Sequence, residues 1–525
     1  MAIYLGFDSS TQGLTATAIA VDRGRHDLLF EQSLNFDEAL PQYGTRHGVL
    51  PPADPRVVHA PPLMWAEALD LMMARVARSG LRLQDIAAIS GAAQQHGSVY
   101  LSPGAESRLA SLEPTEPLAL QLRDIWSRPT APVWLDSSTS ASCAAITAAA
   151  GGAATLARRT GSRAFERFTG PQVHAFARAQ PQAYAETGRV HLVSSFMASL
   201  LIGGHAPLEP GDASGMNLME LGSRAWAPDL VAATAADLEA KLPPIVPSGT
   251  IVGTLARYWR ERYGFPAARV VAWTGDNPSS LIGLGLVGEG RLGVSLGTSD
   301  TVFGAMLMPR VDLSGTAHVF GAPTEEFMGL TCFANGSLAR ERIKDAYALD
   351  WSGFSNALRG TPPGNNGALM LPWFEPEITP AVATPGVQRS GLDPDDAPAN
   401  VRAIVEAQMM SIWRHSRWMS VPTSVLHVTG GAAVNRDILQ VLADVAGVPV
   451  LPLESSNAAS LGAALRAWHA VESQSSREVT WVDIVSPFVR VASPGPVQPR
   501  SELRATYDEL MCAQAAFEAA NLSRA

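Results

Sequence analysis

The sequence predicts an α/β protein in which a similar structural unit occurs twice. Two segments far apart in the chain, residues 3–21 and 292–304, share one pattern. Each has an apolar strand, a tight turn of Gly, Ser, Thr and Asp residues, and a returning strand with β-branched residues. The first half also alternates strand-like and helical segments, as α/β folds do. With 525 residues, the chain is long enough for two large domains or three small ones.

Composition narrows the class of protein. Hydrophobic residues make up 46% of the chain and charged residues 17%, which indicates a well-packed globular protein. The net charge of −10 argues against nucleic acid or an acidic membrane as a partner, but it does not exclude a small anionic ligand. The cysteines Cys143, Cys332 and Cys512 form no CxxC pair, so neither a disulfide framework nor a zinc site is expected.

No signal peptide or membrane span is visible. We therefore expect a cytoplasmic protein, either a monomer or a homodimer.

The first half of the chain shows its elements through periodicity. Helical spacing of apolar residues predicts helices over 63–79 and 138–150. Short apolar runs predict, besides the first hairpin, strands over 86–90, 99–101, 132–136 and 269–273. Several of these strands end in polar residues, which places polar side chains at one edge of the predicted sheet.

The second half follows the same logic after its own hairpin. The predicted elements are a long helix over 400–420, a strand over 425–429, a helix from about Arg436, a small-residue helix over 456–465 and a last helix over 501–520. We place the main domain boundary at residue 275, near the end of the 269–273 strand. The predicted domains are therefore residues 1–275 and 276–475, with an extension over 476–525.

The two hairpin turns predict a site for phosphate. Backbone N–H groups and hydroxyls converge at such turns and suit an anion, so two of them in two halves of one chain indicate a bound ATP. Asp8 ends the first strand and is placed to organise Mg²⁺, although an Asp in a turn also bonds to its own backbone. The second hairpin, with Gly297 and Thr298, favours the functional interpretation of Asp8. Lys241 and Lys344 are the only lysines, and neither follows Gly as a P-loop requires.

A hydrolase motif also occurs by coincidence. Residues 293–297 match the pattern G-x-S-x-G, which marks a nucleophile between a strand and a helix. Ser295 instead lies inside a strand-like run, and the residues that follow continue as a strand. We therefore predict that Ser295 is not a nucleophile.

Several polar residues at strand ends are candidates for catalysis or binding. Asp276 follows the 269–273 strand near the predicted domain boundary and is a candidate general base, but an Asp before Asn-Pro also suits a helix start. His96 lies in a Gly-bracketed polar loop that suits a polyol, and a solvated or capping role is the alternative. Arg167 is a further candidate, and a surface salt bridge is its alternative role. Gly431 lies between a predicted strand and a predicted helix, where a glycine lets a planar ring or a sugar approach the backbone closely. The alternative is an ordinary turn between the strand and the helix.

Taken in order, these segments resemble the FGGY family of carbohydrate kinases, and within it the branch found in animals. The resemblance spans roughly residues 3–470 and is far more specific as a combination than in any single motif. The stretches that carry it are GFDSSTQ (6–12), SGAAQQHGSVY (90–100), PVWLDSST (132–139), TGSRAFERFTG (160–170), LVSSFMASL (192–200), DASGMNL (212–218), TGDNPSSL (274–281), SLGTSDT (295–301), TGGAAVNRDILQVLADV (429–445) and ASLGAALRAWH (459–469).

The resemblance implies a fold and a set of site residues. The fold is two ribonuclease H-like lobes of the actin-type ATPase class, with a central cleft for nucleotide and sugar. Asp276 resembles the catalytic base, and the implied sugar-binding residues are His96, Arg167, Asp276 and Asn277. The implied ATP-binding residues are Thr11, Gly297, Thr298, Trp351, Gly431, Ala432 and Asn435, with Asp8 facing Mg²⁺.

The reaction that the resemblance implies is phosphorylation of D-xylulose by ATP to give D-xylulose 5-phosphate. The partners are then a sugar and ATP. Another polyol, such as L-ribulose, D-ribulose, glycerol or gluconate, is the alternative substrate, and a non-catalytic actin-type ATPase is a more distant one. The sequence departs from most bacterial relatives at 137–138, where Ser137 and Ser138 stand in place of an Arg.

Overall fold

The chain divides into two compact units that interleave along the sequence. The computed structural model describes residues 1–22, 24–288, 290–454, 457–474 and 479–523. Unit 1 comprises Met1–Val287, Val319–Met328 and Asn457–Phe488. Unit 2 comprises Gly288–His318, Gly329–Ser456 and Val489–Ala525. The domains expected from sequence, 1–275, 276–475 and 476–525, remain a prediction, and the two units are used below.

The strands fall into two large sheets and several two-stranded ones. In chain order they are β1 (Ala2–Ser9), β2 (Gly13–Asp22), β3 (Arg25–Asn35), β4 (His59–Ala60), β5 (Ile86–Ala93), β6 (Ser98–Leu101), β7 (Ala131–Pro132), β8 (Arg189–Leu192), β9 (Met219–Glu220), β10 (Ala225–Trp226), β11 (Ile251–Thr254), β12 (Arg269–Val271), β13 (Thr274–Gly275), β14 (Arg291–Leu296), β15 (Asp300–Met306), β16 (Ala317–Gly321), β17 (Phe327–Phe333), β18 (Leu369–Leu371), β19 (Gln388–Ser390), β20 (Val425–Thr429) and β21 (Val450–Pro452).

The helices occur throughout both units. In chain order they are α1 (Phe36–Ala39), α2 (Pro62–Ala77), α3 (Ala105–Ala110), α4 (Leu118–Gln121), α5 (Ser140–Ala149), α6 (Ala153–Thr160), α7 (Thr169–Ala179), α8 (Pro181–Ala185), α9 (Val193–Ile202), α10 (Pro210–Ala213), α11 (Pro228–Thr234), α12 (Leu238–Lys241), α13 (Arg257–Tyr263), α14 (Asp276–Gly283), α15 (Ser337–Ala346), α16 (Trp351–Gly360), α17 (Ala397–Ser416), α18 (Arg436–Ala446), α19 (Ala458–Glu472), α20 (Trp481–Val485) and α21 (Arg504–Leu522).

The sheet of unit 1 is built around the first hairpin. Its strand order is β11-β12-β5-β1-β2-β3, and β13 also pairs with β5. β1 and β2 are antiparallel, as a two-strand hairpin requires, whereas β5 runs parallel to β1. Strand β1 is almost continuously apolar and buried, and helix α19 packs against it. The parallel pairing sets the carboxyl ends of β1, β5 and β13 at the same edge.

The second large sheet, whose strands β14, β15, β20 and β21 lie in unit 2, repeats this order. It reads β16-β17-β15-β14-β20-β21, so the series β12-β5-β1-β2-β3 corresponds to β21-β20-β14-β15-β17. The hairpin of β14 and β15 is again antiparallel, and β20 runs parallel to β14. The predicted α/β fold with a repeated unit is therefore confirmed.

Helix α19 covers the sheet of unit 1, although it lies late in the sequence. Its small residues allow this close contact: the carbonyl oxygen of Ser460 would lie 2.1 Å from a Cβ atom placed on Gly6. The Ser460 hydroxyl lies 2.7 Å from the hydroxyl of Thr17, and both groups are buried. The small-residue helix predicted over 456–465 is therefore present as α19. Asn457 is its N-cap, and Ser456 lies outside the described residues.

Two local predictions are settled by the structure. The strand predicted over 132–136 is wrong beyond Pro132, because β7 ends there and the side chains of Trp134 and Leu135 are exposed. Ser295 lies inside β14, which turns directly into β15, so the strand-to-helix turn of a hydrolase nucleophile is absent from this described segment.

The last helix belongs to unit 2. The hydroxyl of Tyr507 in α21 donates to the carboxylate of Glu406, 2.9 Å away in α17. Farther along, the Gln514 side chain donates to the carbonyl of Ala407 at 2.9 Å. These buried contacts fix α21 against α17.

Within the described ranges, a search for membrane-spanning helices found no single helix of sufficient length and apolar character. A bent pair, Ser140–Ala149 with Ala153–Thr160, reaches the threshold by length and composition alone.

Candidate active site

The carboxyl edge of the unit 1 sheet brings together three of the predicted polar segments. The register pairs Asp8 of β1 with Ala92 of β5, and Ala92 with Thr274 of β13. The residues that follow these strands therefore leave the sheet side by side. They include the Gln95–His96 loop and Asp276.

Asp276 begins helix α14, and the next residue, Asn277, holds its carboxylate. The backbone N–H of Asn277 donates to Asp276 Oδ1 at 2.8 Å, and the Asn277 side chain donates to the same oxygen at 3.0 Å. The Asn277 side chain also donates to Gln95 Oε1 at 3.0 Å. Burial raises the pKa of Asp276 from 3.8 to about 6, although the hydrogen bonds that Asn277 donates to its carboxylate oppose the rise. A carboxylate with a pKa near neutral suits a general base.

Asp8 provides the chemistry that a divalent cation requires. Burial is the main cause that raises the pKa of Asp8 to about 8, and the nearby charge of Asp276 raises it further. Asp8 Oδ1 is buried and has no hydrogen-bond partner among the described residues. A cation at this position would satisfy that oxygen and offset the repulsion between the two carboxylates.

Asp8 offers a cation one buried carboxylate oxygen that is unpaired within the described part of the chain. Among the residues that the structure describes, no three His, Cys, Asp or Glu side chains gather as a metal cluster. Mg²⁺ is commonly bound by one or two carboxylates together with substrate phosphates and water. The Asp8 carboxylate is therefore a donor of the kind that Mg²⁺ takes from proteins.

His96 is a neutral, rigidly oriented side chain. It is only 7% exposed and adopts a left-handed backbone conformation, with φ of 73°. Nδ1 lies 3.0 Å from the carbonyl oxygen of Gly215, which only accepts, so Nδ1 carries the proton and Nε2 is left as an acceptor. Burial, and secondarily the charge of Arg167, lower the pKa of His96 to about 3. A glycine is required at 215 because a Cβ atom there would lie 2.5 Å from Nδ1.

Arg167 lies beside His96, and aromatic rings hold its guanidinium group. The guanidinium carbon is 4.8 Å from the ring centre of Phe165 and 5.8 Å from that of Phe168. The Phe168 ring in turn packs 4.4 Å from the His96 ring, centre to centre. His96 and Arg167 thus form one cluster of a hydrogen-bond acceptor and a cation, which suits the hydroxyls of a sugar.

Thr11 occupies the turn of the first hairpin. The Ser10 N–H donates to the Gly13 carbonyl at 2.9 Å and closes the turn. The Thr11 hydroxyl accepts a hydrogen bond of 2.8 Å from the indole N–H of Trp134. Thr11 belongs to unit 1, whereas the other residues predicted to bind ATP belong to unit 2.

The other residues predicted to bind ATP line one cleft in unit 2. The parallel register of β14 and β20 pairs Ser295 with Thr429, so the turns that follow both strands meet at one edge. The cleft there has a volume of about 920 Å³. Its lining includes all six residues predicted in this unit: Gly297, Thr298, Trp351, Gly431, Ala432 and Asn435.

The cleft combines an apolar surface with fixed polar groups. The Trp351 ring is 44% exposed and Val434 is 86% exposed, which leaves two apolar side chains facing the solvent. Asn435 caps helix α18 by accepting from the backbone N–H groups of Asp437 and Ile438, and its side-chain N–H₂ donates to Ser355 Oγ at 2.9 Å. A flat apolar surface beside oriented polar groups suits a nucleoside.

A buried ion pair supports the hairpin turn on this side. Arg340 donates to both carboxylate oxygens of Asp300, at 2.9 and 3.0 Å, and both side chains are almost fully buried. Asp300 is the first residue of β15, directly after the Gly297–Ser299 turn. The bidentate pair therefore fixes the returning strand of the hairpin.

Sequence reasoning missed two residues that support the unit 1 site. Gln95 links the Asn277 side chain to the Gly211 carbonyl, to which it donates at 3.3 Å. Its position next to His96 in a polar loop was the available signal. Glu209 is completely buried behind the site, and nothing in the local sequence distinguishes it from an acidic residue in a loop.

Comparisons with known proteins agree with this architecture. The N-terminal domain model of the FGGY family of carbohydrate kinases matches residues 129–283, and the C-terminal domain model matches residues 292–471. A xylulose kinase from Mus musculus is 43% identical over 479 residues, covering 89% of this chain and 86% of the mouse protein. A xylulose kinase from Rattus norvegicus is 41% identical over 521 residues, covering 96% of each chain.

A solved structure shares the fold at lower identity. The crystal structure of a xylulose kinase from Rhodospirillum rubrum superimposes with a TM-score of 0.82 at 18% identity, covering 99% of this chain and 98% of that one. At this identity the likeness concerns the fold alone. The two-unit α/β architecture is therefore that of known sugar kinase structures.

Proposed function

Because the chain belongs to the FGGY family of carbohydrate kinases, we propose that it transfers the γ-phosphoryl group of ATP to D-xylulose. The substrate is taken from the relatives named xylulose kinase, which are 40% or more identical to this chain over about nine-tenths of its length. The product is then D-xylulose 5-phosphate, with ADP as the second product.

The observation that carries the proposal is the arrangement around Asp276. The sugar hydroxyl loses a proton as it attacks phosphorus, and a carboxylate with a pKa of about 6 is largely ionised at neutral pH. Asn277 holds Asp276 Oδ1 through two hydrogen bonds, so the carboxylate keeps a fixed orientation. We assign to Asp276 the role of general base.

His96, Arg167 and Asn277 are proposed to bind the sugar. His96 Nε2 is an acceptor for a hydroxyl proton, and Arg167 donates through its guanidinium group. The neutral state of His96 at physiological pH follows from its low pKa, so it accepts rather than donates at Nε2. Together the three side chains offer both kinds of hydrogen bond that a polyol needs.

The unit 2 cleft is proposed to bind ATP. Trp351 would contact the base, while Gly431, Ala432 and Asn435 surround the nucleoside where strand β20 ends. Gly297 and Thr298 are assigned to the phosphates because hairpin turns present backbone N–H groups and hydroxyls, and Thr11, in the turn of the first hairpin, has the same assignment on the same ground. Asp8 would hold Mg²⁺, which when bound neutralises charge on the phosphate oxygens.

Release of ADP tests the proposal directly. Purified protein is incubated with Mg²⁺-ATP and, separately, D-xylulose, L-ribulose, D-ribulose, glycerol or gluconate. Strong stimulation by D-xylulose alone is the expected result. Stimulation by a different polyol would correct the substrate, and release that is independent of any sugar would contradict the kinase assignment. A cytoplasmic location and a monomeric or dimeric state remain predictions from sequence.

A further inference from the structure

Glu209 is a buried carboxylate that gathers donors from three segments of unit 1. It is 0% exposed and caps the N-terminus of α10, where its Oε1 accepts from the backbone N–H of Asp212 at 2.8 Å. The Thr274 hydroxyl donates to the same oxygen, and the Ser248 hydroxyl donates to Oε2 at 2.5 Å. A buried carboxylate persists only when its oxygens are satisfied in this way. The site described above does not require a carboxylate at this depth.

A buried cation, Arg466, complements Glu209 from helix α19. Its guanidinium group donates to the carbonyls of Ala272 at 2.6 Å and Gly91 at 3.1 Å, and also reaches the Ser248 carbonyl at 3.4 Å. Burial lowers the pKa of Arg466 to about 10, and the charge of Glu209 opposes that change. Arg466 thus donates to β5 and to Ala272, and Glu209 accepts from Thr274 of β13. The ends of these two strands form the site.

Two routes lead from Glu209 to the proposed base. The first is covalent and short, because Thr274 is buried in β13 and precedes Asp276 by two residues. The second passes through α10: the Gly211 carbonyl accepts from Gln95, and Gln95 accepts from Asn277, which donates to Asp276. Both routes end at the same carboxylate.

There is little room for these elements to shift. A Cβ atom on Gly211 would lie 2.7 Å from Glu209 Oε1 and 2.9 Å from Thr274 Oγ1. On Gly275 it would lie 2.3 Å from Gln95 Cγ. These distances are far shorter than van der Waals contact. The α10 segment, β13 and the Gln95 loop therefore pack closely only because glycines occupy positions 211 and 275.

We propose that Glu209 is a positioning residue that fixes the orientation of Asp276 through Thr274 and the orientation of Gln95 and Asn277 through α10. The proposal rests on the function proposed above and adds to it a residue that does not touch substrate. Loss of the Glu209 carboxylate would let β13 and the Gln95 loop move relative to each other. Since a displacement of about 1 Å can cost about 100-fold in rate, the effect on turnover should be large.

The test compares Glu209→Gln with a matched control, Glu220→Gln. Gln keeps one oxygen for the Asp212 and Thr274 donors but replaces the acceptor for Ser248 with a donor. We expect kcat to fall about 10- to 100-fold and the sugar KM to rise severalfold, with the ATP KM unchanged. Glu220 lies in the same unit and pairs with Arg159 at the surface, so its variant should match the wild type.

A second pair of variants keeps the test decisive if Glu209→Gln does not fold. Thr274→Val removes only the hydroxyl, whereas Thr274→Ser retains it. We expect Val to lower kcat about 10-fold and Ser to stay close to wild type, because one hydrogen bond to a charged group is at stake. A purely structural defect would reduce the active fraction and leave both KM values unchanged. Wild-type sugar KM and kcat in folded Glu209→Gln, or equal behaviour of the two Thr274 variants, would overturn the proposal.

These assays distinguish a failure of the proposed function from a failure of the Glu209 proposal. Turnover of D-xylulose by the wild-type protein tests the proposed function. The ratio of variant to wild-type parameters tests the role of Glu209, and it is measured with whichever polyol stimulates ADP release. A change of substrate therefore leaves the Glu209 test intact.

Discussion

Replacing Asp276 with Asn should have opposite effects on activity and on stability. The carboxamide is nearly isosteric and keeps an oxygen to accept from Asn277, so the local geometry should survive. It cannot take a proton from the sugar hydroxyl. A general base contributes about 10²- to 10⁴-fold, so kcat should fall by that factor, equivalent to about 3–5 kcal/mol in the activation free energy.

The stability effect follows from the raised pKa of Asp276. Its pKa is about 6 in the folded protein against an ordinary value of 3.8. A carboxyl group with a raised pKa destabilises the folded state above that pKa, where it must ionise, and the penalty disappears below pH 3.8. At pH 7 this penalty amounts to about 3 kcal/mol at most, because each pH unit of pKa displacement is worth about 1.36 kcal/mol. We expect Asp276→Asn to recover about 1–3 kcal/mol of it.

Two assays separate these effects. Sugar-dependent ADP release with Mg²⁺-ATP gives kcat, and urea unfolding at pH 7 with chelator gives the free energy of unfolding without bound cation. Repeating the unfolding at pH 4 should shrink the stability gain, since the wild-type carboxyl group is then protonated in the folded state. Turnover near the wild-type level, or a variant that is less stable at pH 7, would refute the reasoning about Asp276.

Three further predictions use the same preparations. The value of kcat/KM for the sugar should fall about tenfold per pH unit below about pH 6, because Asp276 must be ionised to act, and a flat profile from pH 5 to 8 would contradict this. Trp351→Ala should raise the ATP KM about tenfold through lost stacking, with the sugar KM unchanged in the same kinetic series. Arg340→Leu should cost about 3–5 kcal/mol in urea unfolding by leaving Asp300 buried and unpaired, whereas Arg340→Leu combined with Asp300→Leu should cost less.

The turns and strand ends could be predicted from sequence because their chemistry is local. Gly, Ser, Thr and Asp at the end of an apolar run predicted both hairpins, and the structure has both of them. The residues predicted to bind nucleotide on the second hairpin and after β20 lie in one cleft because parallel strands end at one edge. The sequence could not show that edge, since strand order is a property of the folded sheet.

Long-range polar contacts could not be predicted in this way. Glu209 lies in an Glu-Pro-Gly-Asp stretch that resembles an exposed turn, yet its partners Ser248 and Thr274 come from other segments. The strand expected over 132–136 failed for a similar reason. Its apolar residues do not all enter the core, since Trp134 instead donates to Thr11 at the hairpin turn.

The position of α19 in the sequence has a consequence for biosynthesis. All the strands of the unit 1 sheet have been translated by residue 275, but the helix that covers this sheet is translated only after most of unit 2. A nascent chain released as far as Val287 would therefore expose the surface around Gly6 and Thr17 on the ribosome. Unit 1 should therefore finish folding only after α19 has been synthesised, although most of its residues come first in the chain. Chaperones have a long interval in which to bind it.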